Sequence, residues 1–160
     1  MIYWFTGQPG HGKTTLALAL VEQLRRQGYA PFHIDGDDLR NLTTNQDYSR
    51  QGREANIRRA QTIAQYLHAQ EEIVVVSFVS PYREIREELK SATEVTEIYV
   101  HTKEVRGKEN RHVADYEAPL TRYIDIDTSN KNVPDCVSQI LEWAPVPSKE
   151  LKTLDKRKTL

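Results

Sequence analysis

The stretch Gly7-Gln8-Pro9-Gly10-His11-Gly12-Lys13-Thr14 decides the fold of this chain. Its spacing is Gly-x-x-x-x-Gly-Lys-Thr, and it lies between an apolar run at 2–6 and a stretch at 13–27 whose apolar residues recur at helical spacing. Glycines at such a strand-to-helix turn let backbone N–H groups point at phosphate oxygens, and the helix N-terminus adds a favourable dipole. The pattern therefore predicts a loop that holds the phosphates of a nucleoside triphosphate.

The side chains of this loop predict its cofactors. Lys13 supplies a positive charge to the β- and γ-phosphates, and the Thr14 hydroxyl is a ligand for Mg²⁺, so we expect ATP and Mg²⁺. His11 is interpreted as a spacer rather than a catalyst. An ordinary glycine-rich turn and a nucleotide-binding protein without catalysis are the alternatives. The predicted ATP-binding residues are Gly7, Gly10, His11, Gly12, Lys13, Thr14 and Thr15.

Length and composition favour one domain with a small-molecule substrate. The chain has 160 residues, 38% of them hydrophobic, and a net charge of −1, which favours neither a nucleic-acid nor a membrane partner. Cys136 is the single cysteine, so neither an intrachain disulfide nor a cysteine-based zinc site is expected. The chain enters an apolar strand without a basic leader, and no apolar run reaches the roughly 18 residues of a membrane span. We expect a cytoplasmic protein. A homodimer is one expected assembly, and the oligomeric state stays open.

Strand and helix patterns alternate along the chain. Strands are predicted at 2–6, 31–34, 73–79, 96–100 and 123–126, helices at 13–27, 53–70, 82–90 and 134–143, and polar loops at 41–52 and 101–119. This alternation predicts a three-layer α/β P-loop NTPase fold with a mostly parallel central sheet. In such sheets ligands bind at the carboxyl ends of the strands. The polar clusters that follow the strands should therefore converge on one rim.

Asp35-Gly36-Asp37-Asp38-Leu39-Arg40 places carboxylates and a guanidinium directly after the second strand. A phosphotransferase needs a group that orients or deprotonates the attacking hydroxyl, and a carboxylate near Mg²⁺. Asp35 and Asp37 could share these tasks, because Gly36 between them permits a tight turn. Arg40 could bind an anionic group of the acceptor through its fork of N–H donors. The alternative is a solvated acidic turn that caps a helix.

Arg53 and Asn56 lie one turn apart at the start of the next predicted helix, on the same face. Two donors there can bind a phosphate or a base edge, and a helix start favours an anion. The alternative is a basic surface helix. With the phosphate loop and the acidic cluster, these residues predict a kinase of a small nucleotide that works by positioning and charge neutralisation.

Three successive motifs behind the phosphate loop resemble those of adenylylsulfate kinases. They are Asp35-Gly36-Asp37-Asp38-Leu39-Arg40, Arg53-Glu54-Ala55-Asn56-Ile57-Arg58-Arg59 and Ser77-Phe78-Val79-Ser80-Pro81-Tyr82-Arg83. The resemblance covers residue 1 to about residue 100 and returns at 116–119 and 124–128. It implies a role in sulfate assimilation, namely transfer of the ATP γ-phosphoryl group to the ribose 3′-hydroxyl of adenosine 5′-phosphosulfate.

The resemblance also implies residue roles. Asp37 is the implied base and, with Thr14, the implied metal ligand. Asp35 supports it, and Lys13 completes the catalytic set. Tyr48 matches an aromatic that stacks on the acceptor base. The residues implied to bind the acceptor nucleotide are Asp37, Arg40, Tyr48, Arg53, Asn56, Val79, Ser80 and Lys108. Of these, Ser80 matches a serine that some members phosphorylate.

The chain departs from the family pattern on the acceptor side. Members usually carry a long lid after the strand that ends at Val100, with a Phe that completes the stack around the adenine. Here the lid is short, at about 101–119, and has no such Phe. Gly52 stands where members have an acidic residue, and Tyr48 where they have a Phe. These departures leave open another 5′-substituted nucleotide as acceptor, such as a cytidine diphosphoramidate.

The lid lies in a predicted kinase domain at 1–145, which is followed by a polar tail at 146–160. Lys108, Arg106 and Arg111 are candidate cations for charge stabilisation in the lid, and an exposed charged loop is the alternative. A nucleotide-binding regulatory module, with the tail as a partner contact, is a second function class. A nucleic-acid end kinase is a third, against which stand the near-neutral charge and the lack of a basic stripe with interleaved aromatics.

Overall fold

The structure, a computed structural model, describes residues 1–146. The strands are β1 (Ile2–Thr6), β2 (Phe32–Asp35), β3 (Val74–Ser77), β4 (Val95–His101) and β5 (Tyr123–Asp127). The helices are α1 (Lys13–Arg26), α2 (Gly36–Leu42), α3 (Arg50–Ala69), α4 (Arg83–Ala92) and α5 (Val133–Trp143), with a 3₁₀ turn at Glu109–Arg111. The polar tail predicted at 146–160 lies, except for its first residue, outside the described residues.

The five strands form one parallel sheet in the order β2-β3-β1-β4-β5. The central strand β1 pairs with β3 on one side and with β4 on the other, so that Ile2 lies opposite both Val74 and Val95. From β1 the chain crosses to the edge strand β2, returns to β3 beside β1, and then adds β4 and β5 on the other side. The connections after the neighbouring strands β1 and β3 therefore leave in opposite directions, and their carboxyl ends form the switch point at which ligands bind in such sheets. The predicted P-loop NTPase fold with a mostly parallel sheet is confirmed.

Two apolar layers cover the two faces of the sheet. Helices α1 and α5 pack on one face, against residues that include Tyr3 and Phe5, and α3 and α4 pack on the other, against residues that include Trp4. Successive side chains of a strand point to opposite faces, so every residue of β1 is buried. Fully burying an apolar side chain of this size contributes roughly 1.5–3 kcal/mol, which fixes the strand that leads into the phosphate loop.

A short helix, α2, occupies the place where a tight turn followed by a polar loop was expected. The Asp35 carboxylate caps it, accepting from the backbone N–H of Asp37 at 2.9 Å. Gly36 is therefore the first residue of a helix and not a turn residue, and the predicted loop at 41–52 begins later, after Leu42. The alternative interpretation of the acidic cluster as a helix cap is correct for Asp35.

Helix α3 begins at Arg50, three residues earlier than the predicted start at 53. The Ser49 hydroxyl caps it by accepting from the backbone N–H of Gly52 at 3.2 Å. Strand β3 is shorter than the predicted 73–79 at both ends, and the chain turns sharply farther on, at Ser80, whose φ is +43°. Across residues 1–146, the helices are each too short or too polar to cross a membrane.

Candidate active site

The carboxyl ends of the strands bring the predicted site residues to one rim of the sheet. The phosphate loop follows β1, Asp35 ends β2, Ser77 ends β3, and the lid follows β4. Contacts join these segments: the Thr14 hydroxyl reaches Asp35, and the backbone N–H of Gly7 reaches the Val79 carbonyl at 3.4 Å. The convergence that the topology predicted is confirmed.

Close packing holds the phosphate loop against the sheet. Gly7 has φ +148°, and a Cβ atom there would lie 2.1 Å from the carbonyl oxygen of Val100. Only glycine can occupy this position without moving β4. The loop itself closes through the side chain of Lys13, whose Nζ donates to the Gln8 carbonyl at 2.9 Å. The lysine therefore lies folded over the loop in which phosphates are expected to bind.

Lys13 is buried, with 8% of its surface exposed. Burial lowers the pKa of Lys13 from its ordinary 10.5 to about 8, against the opposing effect of the Asp37 and Asp35 carboxylates, and the nearby Lys108 lowers it further. A buried ammonium has lost hydration, and phosphate oxygens would restore its partners. The position of Lys13 is thus suited to an anionic ligand.

The carboxylate of Asp35 joins the phosphate loop to β3. Its Oδ2 atom accepts from the Thr14 hydroxyl at 3.0 Å and from the Ser77 hydroxyl at 2.7 Å. Partial burial alone would raise the pKa of Asp35, but hydrogen bonds from Ser77, the Asp37 backbone and Thr14 outweigh it, so the pKa is lowered. Asp35 is therefore ionised near neutral pH and accepts hydrogen bonds only.

Thr14 and Asp37 offer the oxygen donors that suit Mg²⁺. The single hydroxyl hydrogen of Thr14 is directed at Asp35, which leaves the lone pairs of its oxygen free for a cation. The Asp37 side chain is exposed on the first turn of α2 and makes no side-chain hydrogen bond to another residue within 1–146. Mg²⁺ is bound in this way in nucleotide sites, with one or two protein oxygens and the rest from phosphates and water. The residues present fit the ion.

Arg40, which is expected to bind the acceptor, also stabilises the loop that forms one wall of the predicted acceptor pocket. The guanidinium is buried, and its Nη1 atom donates to the carbonyl oxygens of Asn45 at 3.0 Å and Asp47 at 2.8 Å. The same group lies 4.3 Å from the ring centre of Tyr48, a cation–π contact. Tyr48 is 58% exposed, so one face of its ring is open to a base. Arg40 therefore holds the loop that presents Tyr48.

The side chain of Asn56 has a buried hydrogen-bond acceptor atom without a partner among the described residues. It is 3% exposed, and its Nδ2 atom donates to the Gly36 carbonyl at 3.2 Å, while Oδ1 is buried without a partner among the described residues. Buried polar atoms without partners are rare in folded proteins and usually mark a missing ligand or water. Arg53 is half-buried one turn earlier on α3. The predicted pair therefore lies together, and Asn56 has a vacant hydrogen-bonding site.

The structure places the Ser80 hydroxyl away from solvent. The side chain is buried, and its Oγ atom accepts from the indole N–H of Trp4 at 3.0 Å. The Val79 carbonyl accepts from the Thr6 hydroxyl at 2.8 Å. In this arrangement Ser80 and Val79 hold the turn after β3 in place, and nothing in the geometry of Ser80 favours phosphorylation or contact with an acceptor.

The lid rests on the phosphate loop rather than on the acceptor side. Arg106 Nη1 donates to the His11 carbonyl at 3.4 Å, and Gln8 makes two side-chain hydrogen bonds to the backbone of Val113, at 2.9 and 2.8 Å. A Cβ atom on Gly10 would lie 3.0 Å from the Cβ of Lys108. Lys108, assigned from the sequence to the acceptor, therefore lies in the donor half of the site.

A buried ion pair anchors the far end of the lid. Arg86 donates from Nε to Glu97 at 2.6 Å and from Nη2 to the Glu117 carbonyl at 2.6 Å, and its Nη1 atom contacts the Ser80 carbonyl. Both partners of the pair are almost fully buried, and the buried Lys90 also pairs with Glu97 at 2.6 Å, so removing Glu97 would leave two cations in the core without this partner. Arg86 thereby fixes the turn after β3 to residues 116–119, where the resemblance to the family returns.

Sequence reasoning did not single out several residues that build the site. Ser77, Gln8 and His33 make side-chain hydrogen bonds at or next to the phosphate loop, yet none was assigned a role. The available signal for Ser77 was a hydroxyl that ends an otherwise apolar strand at the carboxyl rim. Gln8 and His33 had no such signal, because their partners are far away in the sequence.

Comparisons with known proteins agree with this site. The family model of adenylylsulphate kinase matches residues 1–118. The adenylyl-sulfate kinase of Chloroflexus aurantiacus is 35% identical over 161 residues, covering 88% of this chain and 87% of its own. The adenylyl-sulfate kinase of Vibrio cholerae is 34% identical over 163 residues, covering 88% and 76%.

Solved structures show the same fold. The APS kinase of Mycobacterium tuberculosis in complex with AMPPNP and APS has a TM-score of 0.77 at 21% identity, over 88% of this chain and 95% of that one. The hexameric APS kinase of Thiobacillus denitrificans has a TM-score of 0.73 at 30% identity, over 88% of this chain and 28% of that longer one. From the family match and the relatives' identity, together with the phosphate loop and strand-end motifs, this chain belongs to the adenylylsulfate kinase family.

Proposed function

We propose that this protein transfers the γ-phosphoryl group of ATP to the ribose 3′-hydroxyl of adenosine 5′-phosphosulfate. The observation that carries the proposal is the pairing, at one rim, of Lys13 and Thr14 on the phosphate loop with Asp35 and an unengaged Asp37 on α2. Family membership supplies the substrate: the relatives that this chain resembles are adenylyl-sulfate kinases.

The donor side works by holding charge in place. The backbone N–H groups of the phosphate loop and the Lys13 ammonium bind the phosphates of ATP, and Thr14 and Asp37 would hold Mg²⁺. When bound, Mg²⁺ neutralises phosphate charge and orients the β- and γ-phosphates. Phosphoryl transfer leaves little covalent work for the protein, so positioning of these groups accounts for most of the rate.

Asp37 is the proposed base. As the acceptor 3′-oxygen forms its bond to the γ-phosphorus, the bond from that phosphorus to the ADP oxygen breaks, and the hydroxyl proton passes to the Asp37 carboxylate. Asp35 cannot take this role as readily, because both of its oxygens already accept hydrogen bonds from the protein. Asp37 lies on the first turn of α2, next to Asp35, and is exposed. Its carboxylate accepts no hydrogen bond from another residue within 1–146.

The acceptor pocket is proposed to lie between Tyr48, Arg40, Arg53 and Asn56. The open face of Tyr48 suits base stacking. The unpaired Oδ1 of Asn56 has almost no exposed surface in the free protein, so an N–H donor of the base, such as the exocyclic amino group of adenine or of cytosine, would reach it only if the pocket opens on binding. This pocket therefore supports a nucleotide acceptor and leaves the cytidine diphosphoramidate alternative, raised by the short lid, for experiment.

A coupled assay for ADP release tests the proposal. Adenosine 5′-phosphosulfate is compared with a cytidine diphosphoramidate and with an adenosine 5′-diphosphate analogue that the coupling enzymes do not use, with Lys13→Ala protein as the background. We expect acceptor-dependent ADP release with adenosine 5′-phosphosulfate and a product phosphorylated on the 3′-oxygen. Turnover with the cytidine compound, and none with adenosine 5′-phosphosulfate, would show that the cytidine compound is the acceptor. ATP binding without turnover of any nucleotide would instead support the regulatory-module alternative.

We also propose where the protein acts and how it assembles. An ATP-consuming enzyme of this kind is proposed to act in the cytoplasm as a single kinase domain at 1–145, and as a homodimer. Light scattering on the purified full chain and cell fractionation test these two statements. A monomeric mass, or a hexameric one like that of the Thiobacillus denitrificans relative, would contradict the homodimer.

A further inference from the structure

A line of hydrogen bonds runs from the edge strand to the phosphate loop. His33 Nε2 lies 3.0 Å from the Ser77 hydroxyl, which donates to Asp35 Oδ2 at 2.7 Å, and the same oxygen accepts from the Thr14 hydroxyl at 3.0 Å. The sheet creates this line: His33 and Asp35 are two apart on β2 and share a face, and Ser77 on β3 is the register partner of Asp35.

Counting hydrogens fixes the direction of each bond. Asp35 is ionised and can only accept, so Ser77 gives it the one hydroxyl hydrogen that it has. The bond between Ser77 and His33 must then use a lone pair of Ser77, so Nε2 of His33 carries a hydrogen and donates. Thr14 likewise gives its only hydrogen to Asp35 and keeps its lone pairs for the ligand side.

We propose that His33 is a positioning residue for the Mg²⁺–nucleotide site, acting through Ser77 and Asp35 to direct the lone pairs of Thr14 at the ion. The inference rests on the proposed function only in assuming an Mg²⁺–nucleotide ligand, and not on which acceptor is used. If the His33 donor is lost, Ser77 is free to rotate and to present its hydrogen elsewhere. Asp35 then loses one of the bonds that orient it, and the Thr14 hydroxyl loses its fixed direction. Outer partners of this kind typically change metal affinity about 10- to 100-fold.

The competing explanation is a purely structural one, in which His33 and Ser77 only tie an edge strand to its neighbour. The two explanations differ in what they predict for Mg²⁺. A structural tie affects stability and leaves the metal dependence of nucleotide binding unchanged. A positioning role lowers the benefit that Mg²⁺ gives to nucleotide binding and leaves metal-free binding nearly as it was.

The test is calorimetric titration of the full chain with ADP, with Mg²⁺ and with a chelator, which needs no acceptor and no turnover. The measured quantity is the ratio of the dissociation constant without Mg²⁺ to that with Mg²⁺. We expect His33→Phe and Ser77→Ala to reduce this ratio about tenfold. His33→Gln keeps an N–H donor at a similar reach and should restore most of it.

His68→Phe is the matched control, because His68 is half-buried at the far end of α3, beside the chain terminus, and outside the site. An unchanged ratio in His33→Phe, with or without a lower melting temperature, would overturn the proposal, as would an equal loss in His33→Gln. Should His33→Phe not fold, the ratio in Ser77→Ala decides in the same way. A reduced ratio in a protein that phosphorylates no acceptor would refute the proposed function and leave this inference standing.

Discussion

The donor and acceptor halves of the site engage their polar side chains differently. In the donor half, Lys13 and Thr14 are held by Gln8 and Asp35 in positions that face the ligand. In the acceptor half, Arg40 donates hydrogen bonds to the loop that carries Tyr48. This loop forms a wall of the predicted acceptor pocket, so the wall depends on Arg40. Asn56 is bound on one side and unpaired on the other.

In the donor half, the contacts that position side chains for the ligand are separate from those that stabilise the fold. In the acceptor half, the same contacts do both. Donor residues are held by a few contacts around the space for the phosphates, so changing them should affect binding or turnover more than stability. Acceptor residues also hold the pocket together, so changing them should affect both at once. The four predictions that follow test this contrast.

Replacing Lys13 should have the largest effect. Lys13→Met keeps the volume of the buried side chain but removes the charge, and we expect turnover to fall about 10⁴-fold, as when other cations that stabilise phosphoryl transfer are lost. The free energy of unfolding should not decrease, because the buried ammonium is poorly hydrated. Steady-state kinetics and urea unfolding measure the two quantities. A large loss of stability would contradict the contrast between the halves.

Asp37→Asn should lower kcat about 10²- to 10³-fold, in the range of a lost general base. The apparent affinity for ATP should change much less than kcat, because Lys13 and the loop backbone remain. Asp38→Asn on the same exposed turn of α2 is the control and should be near wild type. If Asp37→Asn kept wild-type turnover, the assigned base would be wrong.

Arg40→Met should show the double effect expected of the acceptor half. Removing the guanidinium leaves the Asn45 and Asp47 carbonyls without their donor, which costs about 1–3 kcal/mol of folding free energy. We also expect the KM for the acceptor to rise about tenfold, with little change in the KM for ATP. Arg59→Met removes an exposed arginine from α3 and should change neither quantity. A rise in KM without any loss of stability would show that Arg40 has no part in holding the loop.

The smallest effect is expected from pH. Phosphates favour protonated Lys13, whose pKa is lowered by burial to about 8 in the free protein, so binding takes up a proton once the pH exceeds 8. The affinity for ADP should therefore be constant at lower pH and about fourfold weaker at pH 8.5 than at pH 7. In Lys108→Gln a neighbouring cation that lowers this pKa is gone, so the decline should begin at higher pH. Calorimetry at several pH values locates it, and an identical onset in both proteins would exclude Lys108 as the cause.

Much of the fold could be predicted because its signals are local. The phosphate loop has a fixed spacing, and β1 and β3 are apolar runs of the length and composition that a strand covered on both faces requires. Helix α2 could not be predicted in this way. It is seven residues long, Leu42 on it is exposed, and its start depends on a cap from Asp35. Such a helix has no apolar period to detect.

The candidate site divides in the same manner. Lys13, Thr14 and the two aspartates follow from local spacing and from family resemblance. The pairs Ser77–His33 and Gln8–Val113 are 44 and 105 residues apart in the chain, so only the register of the strands and the path of the lid reveal them. The position of Lys108 against the phosphate loop could not be predicted without the path of the lid. Nothing in the charged sequence of the lid indicates which half of the site the lid covers.

Gly52 gives this chain a loop route that relatives with a side chain at that position cannot share. A Cβ atom there would lie 2.2 Å from the carbonyl oxygen of Asp47 and 2.4 Å from its Cγ. That carbonyl also accepts a hydrogen bond from Arg40. The loop that presents Tyr48 can therefore pack this closely against α3 only because Gly52 has no side chain. A side chain at position 52 would therefore displace the loop that presents Tyr48, and with it the proposed base-stacking surface, without a direct effect on the phosphate loop.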